Sequence, residues 1–546
     1  MSIYQNFYRE ITDENGKITD IDISFNDDFN FGYDVVDAIA DKEPDKKALF
    51  WCNANDKERV FTFRDIKNES NRAANALKDA GIKRGDRVIV ALKRHYEYWF
   101  CAIALHKIGA MLIPVTHMLT TEDFIYRIRS AKVSAIICTP MDEVPKKALD
   151  AVLSLNIPCK LFSVQKDIPG FLNLTTSMKA ASAEFERQPT LAHDPMVMYF
   201  TSGTTGYPKG VIHDFTYPLA HIVTAKHWQH AEDGGLHFTV SETGWAKASW
   251  GKLYGQWLVG SAVMVFDFDN FDPKQLVTVI NRYGVTSFCA PPTIYRYLVR
   301  KSTPSMPKLR HATTAGEFLS PEVFSKFFER TGLTLREGYG QTETTLLTAN
   351  FDENDLADGS LGKPSPLYRI ELRGKDGLEV PVGEIGEIVV IPKNDKPIPG
   401  LFIGYLDNSK LYEQAFSDGV YHTGDAAYKD ENGFLWFHGR FDDIIKSGGF
   451  RIGPYEVENI LLKHPAVLEC SVIGVPDPLR GQSIKAFIVQ APGYSASLEL
   501  EKDIREFCNA RLAEYKWIRI IEFVSEMPKT ISGKICKAKL RKRHGA

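Results

Sequence analysis

The chain carries eight cysteines, yet none lies at metal or redox spacing: Cys52, Cys101, Cys138, Cys159, Cys289, Cys470, Cys508 and Cys536 stand singly, with no CxxC and no Cys/His run. That absence excludes a zinc ribbon or a disulfide framework and leaves reduced, mostly buried thiols. An excess of charge of one sign is lacking too. Lys and Arg number 66 against 69 Asp and Glu, a net charge of −3, so no global field draws the chain to nucleic acid or to an anionic membrane, and any anion site has to be local. Long apolar runs are missing as well. The most apolar stretch, Tyr98 to Val115, is interrupted by His106 and Lys107, and the opening MSIYQNFYREITDENG has charges where a signal peptide needs an apolar core. No integral membrane segment is expected, and the chain reads as cytoplasmic. What is present is an ordinary globular composition, 44% apolar and 25% charged, over 546 residues, long enough for two or more cores.

From about residue 58 to 290 short β-rich runs alternate with longer amphipathic stretches, as in Arg87 to Leu92, Tyr96 to Ile108, Met111 to Val115 and Ala135 to Cys138. This alternation predicts βαβ units and parallel sheet, so the fold class is α/β. Between about 360 and 440 the texture changes to Gly-punctuated β pieces, a small β-rich subdomain. After Arg440 follows a compact α+β unit, with helices expected over PYEVENILLKH and LELEKDIREFCNARLAEY and strands over Val467 to Val475, Ile484 to Val489 and Ile518 to Val524.

A strand-like run, Pro195 to Phe200, leads directly into Thr201-Ser-Gly-Thr-Thr-Gly-Tyr-Pro-Lys-Gly210. Glycines allow close backbone approach, hydroxyls donate to phosphate oxygens, and Lys209 supplies a point charge. The spacing is not GxxxxGK[ST], so this is not a Walker loop. A plain Ser/Thr/Gly linker has the same composition; the placement after a strand and the terminal lysine favour a phosphate cradle.

The loop resembles the signature of the adenylate-forming superfamily. Further blocks match in the same order: Gly338-Tyr-Gly-Gln-Thr-Glu-Thr-Thr345, Tyr421-His-Thr-Gly-Asp425, Gly439 to Lys446, Gly448 to Glu456 and Pro528 to Lys534. The likeness is strongest to medium-chain acyl-CoA synthetases of the acetyl-CoA synthetase-like branch. It implies a large N-terminal domain, 1–441, of mixed and parallel sheets flanked by helices with the β-rich subdomain. It also implies a small mobile C-terminal domain, 442–546, hinged at Asp442. The implied reaction joins a carboxylic acid, ATP and coenzyme A with Mg2+. It needs no protein nucleophile, only positioning and charge stabilisation, which agrees with the absence of a GxSxG motif.

By this resemblance Thr201, Ser202, Gly203, Thr204, Thr205, Gly206 and Lys209 hold the phosphates, Thr342 meets the α-phosphate and Glu343 binds Mg2+. Gly316 and Glu317 line the adenine side, with Gly338, Tyr339, Gly340 and Gln341 completing the nucleotide site. Asp425 accepts from the ribose hydroxyls with Arg440 beside it. Lys534 is the adenylation catalyst, although it opens a basic run that otherwise reads as a solvated tail. Rotation at Asp442 withdraws Lys534 and presents Gly448, Gly449, Phe450 and Arg451, with Arg480 as a further cation for CoA phosphates.

Acetate-specific relatives carry Trp where this chain has Gly340, so a longer or branched acid is expected. The stretch Thr243 to Tyr254 resembles the acyl-pocket helix, lined by Trp245, Ala248, Trp250 and Gly251. Amino-acid-activating relatives use an Asp on the corresponding helix to pair with the substrate ammonium; this chain has Lys247 and Lys252 there and no acid after Glu242, so the resemblance speaks against amino-acid substrates. An aryl-CoA ligase, or a stand-alone adenylation enzyme loading a carrier protein, is the alternative reading within the same chemical family. A non-catalytic nucleotide-binding regulator is disfavoured because Lys209, Glu343, Asp425, Arg440 and Lys534 are all present.

Overall fold

A computed structural model of the protein describes residues 2–141, 143–201, 208–300, 305–316, 319, 321–352, 355–393, 397–441, 443–447, 450–529 and 535–542. The chain divides into two compact units, the first formed by Met1–Gly203, Pro208–Arg369 and Pro392–Phe416, the second chiefly by Ile370–Ile391 and Ser417–Ala546.

Among the described residues the first unit holds two large sheets built from the βαβ alternation expected. One runs in the order Gly404–Tyr405, Lys209–Asp214, Pro195–Thr201, Met111–Pro114, Arg87–Ala91, Ala135–Cys138, Lys160–Ser163, Leu172–Asn173. Its central strands pair in parallel, Val88 opposite Leu112 and Ala135, while Lys209–Asp214 returns antiparallel to Pro195–Thr201. The central strands Met111–Pro114 and Ala135–Cys138, and Arg87–Ala91 after its first residue, are apolar runs buried on both faces, as parallel strands between helices must be. The second sheet includes Ala262–Asp267, Leu236–Thr239, Ser287–Ala290, His311–Thr314, Leu335–Gly340 and Leu346–Ala349 in adjacent positions. Asp272 caps the helix Pro273–Tyr283 through the Lys274 amide, and Gly284 ends it in the left-handed region, the start and stop read from DPKQLVTVINRYG. A short hairpin, Tyr8–Thr12 with Ile18–Ile23, precedes both sheets.

The second unit contains a four-stranded sheet, Arg369–Arg373, Ile385–Ile391, Tyr421–Lys429 and Leu435–Arg440, and a second sheet centred on Val467–Asp477 and Gly481–Gln490. The sequence reading groups the β-rich segment with the large domain. In the structure it clusters with the carboxy-terminal residues, because Leu435–Arg440 packs on the helix Pro454–Leu461 through Phe437 against Tyr455, ring centres 5.3 Å apart, and through His438 against Glu456 at 3.0 Å.

Two helices differ from expectation. Leu498–Asn509 stops six residues before Tyr515: the Asn509 side chain accepts from the Ile518 amide at 3.0 Å, turning the chain back so that Ile520–Phe523 pairs with Gly481–Gln490. The stretch Thr243 to Tyr254 is not one helix but two, Ala246–Gly251 and Tyr254–Leu258. The Lys252 amide closes the first helix on the Ala248 carbonyl at 2.7 Å, but Trp99 Nε1 donates to the Lys252 carbonyl at 2.7 Å and the Lys252 side chain donates to the Ser241 carbonyl at 2.6 Å, so the ladder is not carried forward through that carbonyl. No helix of the described residues is long and apolar enough to cross a membrane.

Candidate active site

Thr201 ends its strand directly opposite Lys209, the first residue of the returning strand. The arc between them, with Ser202, Gly203, Thr204, Thr205 and Gly206, lies outside the described residues, as do Glu317, Asp442, Gly448, Gly449 and Lys534 and the side chain of Arg451.

Around Lys209 three separate segments converge. Gly404–Tyr405 pairs antiparallel with the returning strand, Tyr405 opposite Val211, and the Lys209 ammonium sits 5.1 Å from the Tyr405 ring centre. The Tyr405 hydroxyl donates to Glu343 Oε1 at 2.9 Å. Glu343 belongs to the turn after Leu335–Gly340, closed by the Gln341 amide donating to Thr344 Oγ1 at 3.0 Å. Its backbone is fixed from outside: the Phe402 amide donates to the Glu343 carbonyl at 2.9 Å and His213 Nε2 donates to the Thr342 carbonyl at 2.7 Å. Burial lowers the His213 pKa to about 4, so the ring is neutral with the proton on Nε2, while its Nδ1 has no hydrogen-bond partner among the described residues. The structure therefore brings Lys209, Thr342 and Glu343 together and adds Tyr405 and His213, which the sequence reading did not single out.

The strand Leu335–Gly340 carries a glycine pair with an indole on each member. A methyl group built on Gly338 would fall 2.6 Å from Trp228 Cε2, and one built on Gly340 would fall 2.5 Å from Trp250 Cη2 and nearer still to the Thr345 carbonyl. At Gly340 the Trp250 indole from the facing helix lies directly against the backbone, because a residue without Cβ lets the ring approach. Trp250, Trp228, Cys289, Ala315, Leu346 and Ala349 form one buried cluster. Gly251 faces Thr239, where any side chain would collide, and Ala248 is buried beside it while Trp245 precedes the helix. The Lys247 ammonium donates to the Ala315 carbonyl at 2.6 Å, tying this helix to the loop of Gly316, whose φ of +104° suits glycine.

One acid here is strongly perturbed. Glu337 is buried with Oε2 unpartnered among the described residues, and burial raises its pKa to about 8.

In the second unit Asp425 and Arg440 lie opposite each other across paired strands, and Arg440 Nη1 donates to Asp425 Oδ1 and to the Thr423 carbonyl, both at 3.2 Å. Gly424, at φ +69°, runs beneath the guanidinium, which leaves no room for a side chain. Phe450 is half exposed and stacks on Tyr515 at 4.4 Å. Arg480 sits at the tip of the turn between Val467–Asp477 and Gly481–Gln490, its amide donating to Asp477 Oδ1 at 3.0 Å.

Among the described residues no group of three or more His, Cys, Asp or Glu could hold a metal. A lone carboxylate such as Glu343 suits a hard cation that shares substrate phosphates, the habit of Mg2+.

The profile of AMP-binding enzymes matches residues 36–406, and that of the AMP-binding enzyme C-terminal domain matches 456–534. The mitochondrial acyl-coenzyme A synthetase ACSM3 of Homo sapiens is 38% identical over 528 residues, covering 94% of this chain and 89% of its own. The 4-hydroxybutyrate–CoA ligase 1 of Metallosphaera sedula is 41% identical over 523 residues, covering 94% and 90%. Among solved structures, the anthranilate CoA ligase AuaEII in complex with anthranoyl-AMP aligns with a TM-score of 0.85 at 28% identity, over 95% of this chain and 98% of that one.

Proposed function

The chain belongs to the AMP-binding enzymes, and on that premise we propose that it is an acyl-CoA synthetase. A carboxylate oxygen of the acid attacks the α-phosphorus of ATP, pyrophosphate leaves, and acyl-AMP forms. The thiolate of coenzyme A then attacks the acyl carbonyl, AMP leaves, and the thioester remains.

The observation that carries this reading is the convergence of Lys209, Tyr405 and Glu343 beside a Thr342 carbonyl held by a neutral histidine. Lys209 offers positive charge to the phosphates, and Thr342, its carbonyl anchored by His213, is the residue to meet the α-phosphate. Glu343, oriented by Tyr405, is the residue to hold Mg2+; the bound ion neutralises charge on the phosphates. Preorganised donors of this kind stabilise developing charge without reorganisation during the reaction. Asp425, oriented by Arg440, is the acceptor for the ribose hydroxyls. Lys534 supplies the cation for adenylation, and movement about Asp442 exchanges it for the 448–451 segment in the thioester step.

We read Trp228 and Trp250, which lie against Gly338 and Gly340, as walls of the acid site, and this reading supports an apolar acid of short to medium length. An aryl acid is the second reading: two indoles offer flat faces to a ring, and a ligand of that kind is named for the anthranilate enzyme. The free state of the described cysteines suits a reducing compartment, cytoplasmic or otherwise; the mitochondrial address belongs to the human relative's name. Pyrophosphate release measured across C2 to C12, branched and aromatic acids, with Lys534→Ala as control, tests the proposal. Release that is independent of any acid, or undiminished in the variant, refutes it.

A further inference from the structure

Four consecutive residues join the amino-terminal hairpin to the two indoles on the glycine strand. They belong to or follow Thr224–Trp228, a π-helical turn, a geometry that is rare and concentrates at functional sites. Towards the hairpin, Lys226 pairs with Glu10 and lies 5.6 Å from the Tyr8 ring centre, and His227 Nε2 is hydrogen-bonded to the Tyr8 hydroxyl at 2.6 Å. Burial lowers the His227 pKa to about 4, so Tyr8 meets a neutral ring. Towards the strand, Trp228 lies on Gly338 and its Nε1 donates to the Arg336 carbonyl at 3.3 Å. Gln229 Nε2 donates to the Trp250 carbonyl at 3.1 Å, and Gln256 Nε2 bridges Gln229 Oε1 at 2.5 Å and the same carbonyl at 3.0 Å. The backbones of both tryptophans are therefore fixed by one turn, and that turn is gripped by the hairpin.

We propose that the hairpin Tyr8–Ile23 is a positioning element of the acid site: through Tyr8–His227 and Glu10–Lys226 it locks the turn that carries Trp228 and Gln229, and so sets the length of acid accepted. The inference rests on reading Trp228 and Trp250 as walls of that site. Tyr8 and Glu10 touch the turn and act on substrate only through it, so their loss alters acid selection and leaves the nucleotide steps alone.

The test uses the full chain with Tyr8→Phe and Glu10→Gln combined, and separately His227→Gln, which keeps a hydrogen-bonding partner for Tyr8. Losing neutral and ion-paired hydrogen bonds at the turn is expected to change the kcat/KM ratio between the preferred acid and one two carbons longer by about threefold or more, with the KM for ATP within about twofold. Amides of 246–251 and 338–349 should exchange faster with solvent deuterium, while those of 87–91 do not. His227→Gln should keep the wild-type ratio. An active double variant with an unchanged acid profile overturns the inference, as does a uniform fall for every acid. A wild type that releases no pyrophosphate with any acid refutes the functional reading instead. Exchange then decides alone: unaltered protection at 246–251 and 338–349 overturns the hairpin's role, and faster exchange confined to them upholds it.

Discussion

The Tyr405 hydroxyl donates to Glu343 Oε1 at 2.9 Å while the Lys209 ammonium lies 5.1 Å from the centre of the same ring. A single phenol thus orients the acid assigned to the metal and offers its face to the cation assigned to the phosphates. Tyr405→Phe keeps the ring and deletes one hydrogen bond to a charged acceptor, worth about 1.5–3 kcal/mol. The Mg2+ concentration for half-maximal pyrophosphate release should rise about tenfold with little change in melting temperature. A Mg2+ titration superimposable on wild type would remove Tyr405 from the site.

Gly340 and Trp250 are a matched pair, and each substitution has its own signature. Gly340→Ala pushes a methyl group into the indole and the Thr345 carbonyl, an overpacking cost of about 1–3 kcal/mol. Trp250→Ala empties the site, costs about 3–5 kcal/mol, and should shift the favoured acid to a longer chain. Because the two residues touch, the double variant should be more stable than the sum of the single effects predicts. Thermal unfolding of the four proteins with an acid-length series checks both points; strict additivity would mean that the ring does not rest on Gly340.

Asp425 and Arg440 face each other at 3.2 Å, so the carboxylate is oriented before a nucleotide arrives. Asp425→Asn retains the shape and loses the charge-assisted acceptor. A rise of about tenfold in the KM for ATP is expected, near 1.4 kcal/mol, with the KM for acid unmoved. An equal rise in both would indicate general damage to the fold.

Much of this arrangement was legible in the chain. Strands such as Ala135–Cys138 were readable because burial on both faces leaves an unbroken apolar run, and the caps Asp272 and Gly284 mark their helix locally. The glycines of the 338–340 strand were found by motif, but their meaning was not: that Trp250 occupies the space at Gly340 is a tertiary fact about a helix some 90 residues earlier. Tyr405 lies in LFIGYLD, which reads only as a short strand, and His213 in KGVIHDF alternates like any core residue; a polar ring inside an apolar strand was the one available signal. The break at Lys252 depends on Trp99, whose indole captures a carbonyl from a distant helix, and local propensity holds no record of that.

Lys534→Ala should separate the two half-reactions. A cation needed only while charge is shared between the attacking carboxylate and the α-phosphate is dispensable once acyl-AMP exists. Adenylation should fall by at least about a hundredfold, roughly 2.7 kcal/mol or more, while supplied acyl-adenylate and coenzyme A still give thioester at a rate near wild type. Equal loss in both assays would argue against an exchange of residues between the steps.

Glu337 ties stability to pH. It lies in register beside Thr314, and Glu337 Oε2 and Thr314 Oγ1 are both buried without hydrogen-bond partners among the described residues. Burial raises the carboxyl from its ordinary 4.5 to about 8, so the folded protein keeps this proton at neutral pH where the unfolded chain has lost it. Between those two values the folded state binds more protons, hence this group's contribution to stability falls as pH rises, being fully present below 4.5 and lost as pH passes about 8. Glu337→Gln carries no such proton and should abolish that slope. Melting temperatures of the two proteins, compared from about pH 5 to pH 9, should diverge steadily in favour of the variant as pH rises. Parallel curves would mean that the carboxyl is already ionised in the folded state and that a charge, rather than a proton, is held within the strand Leu335–Gly340.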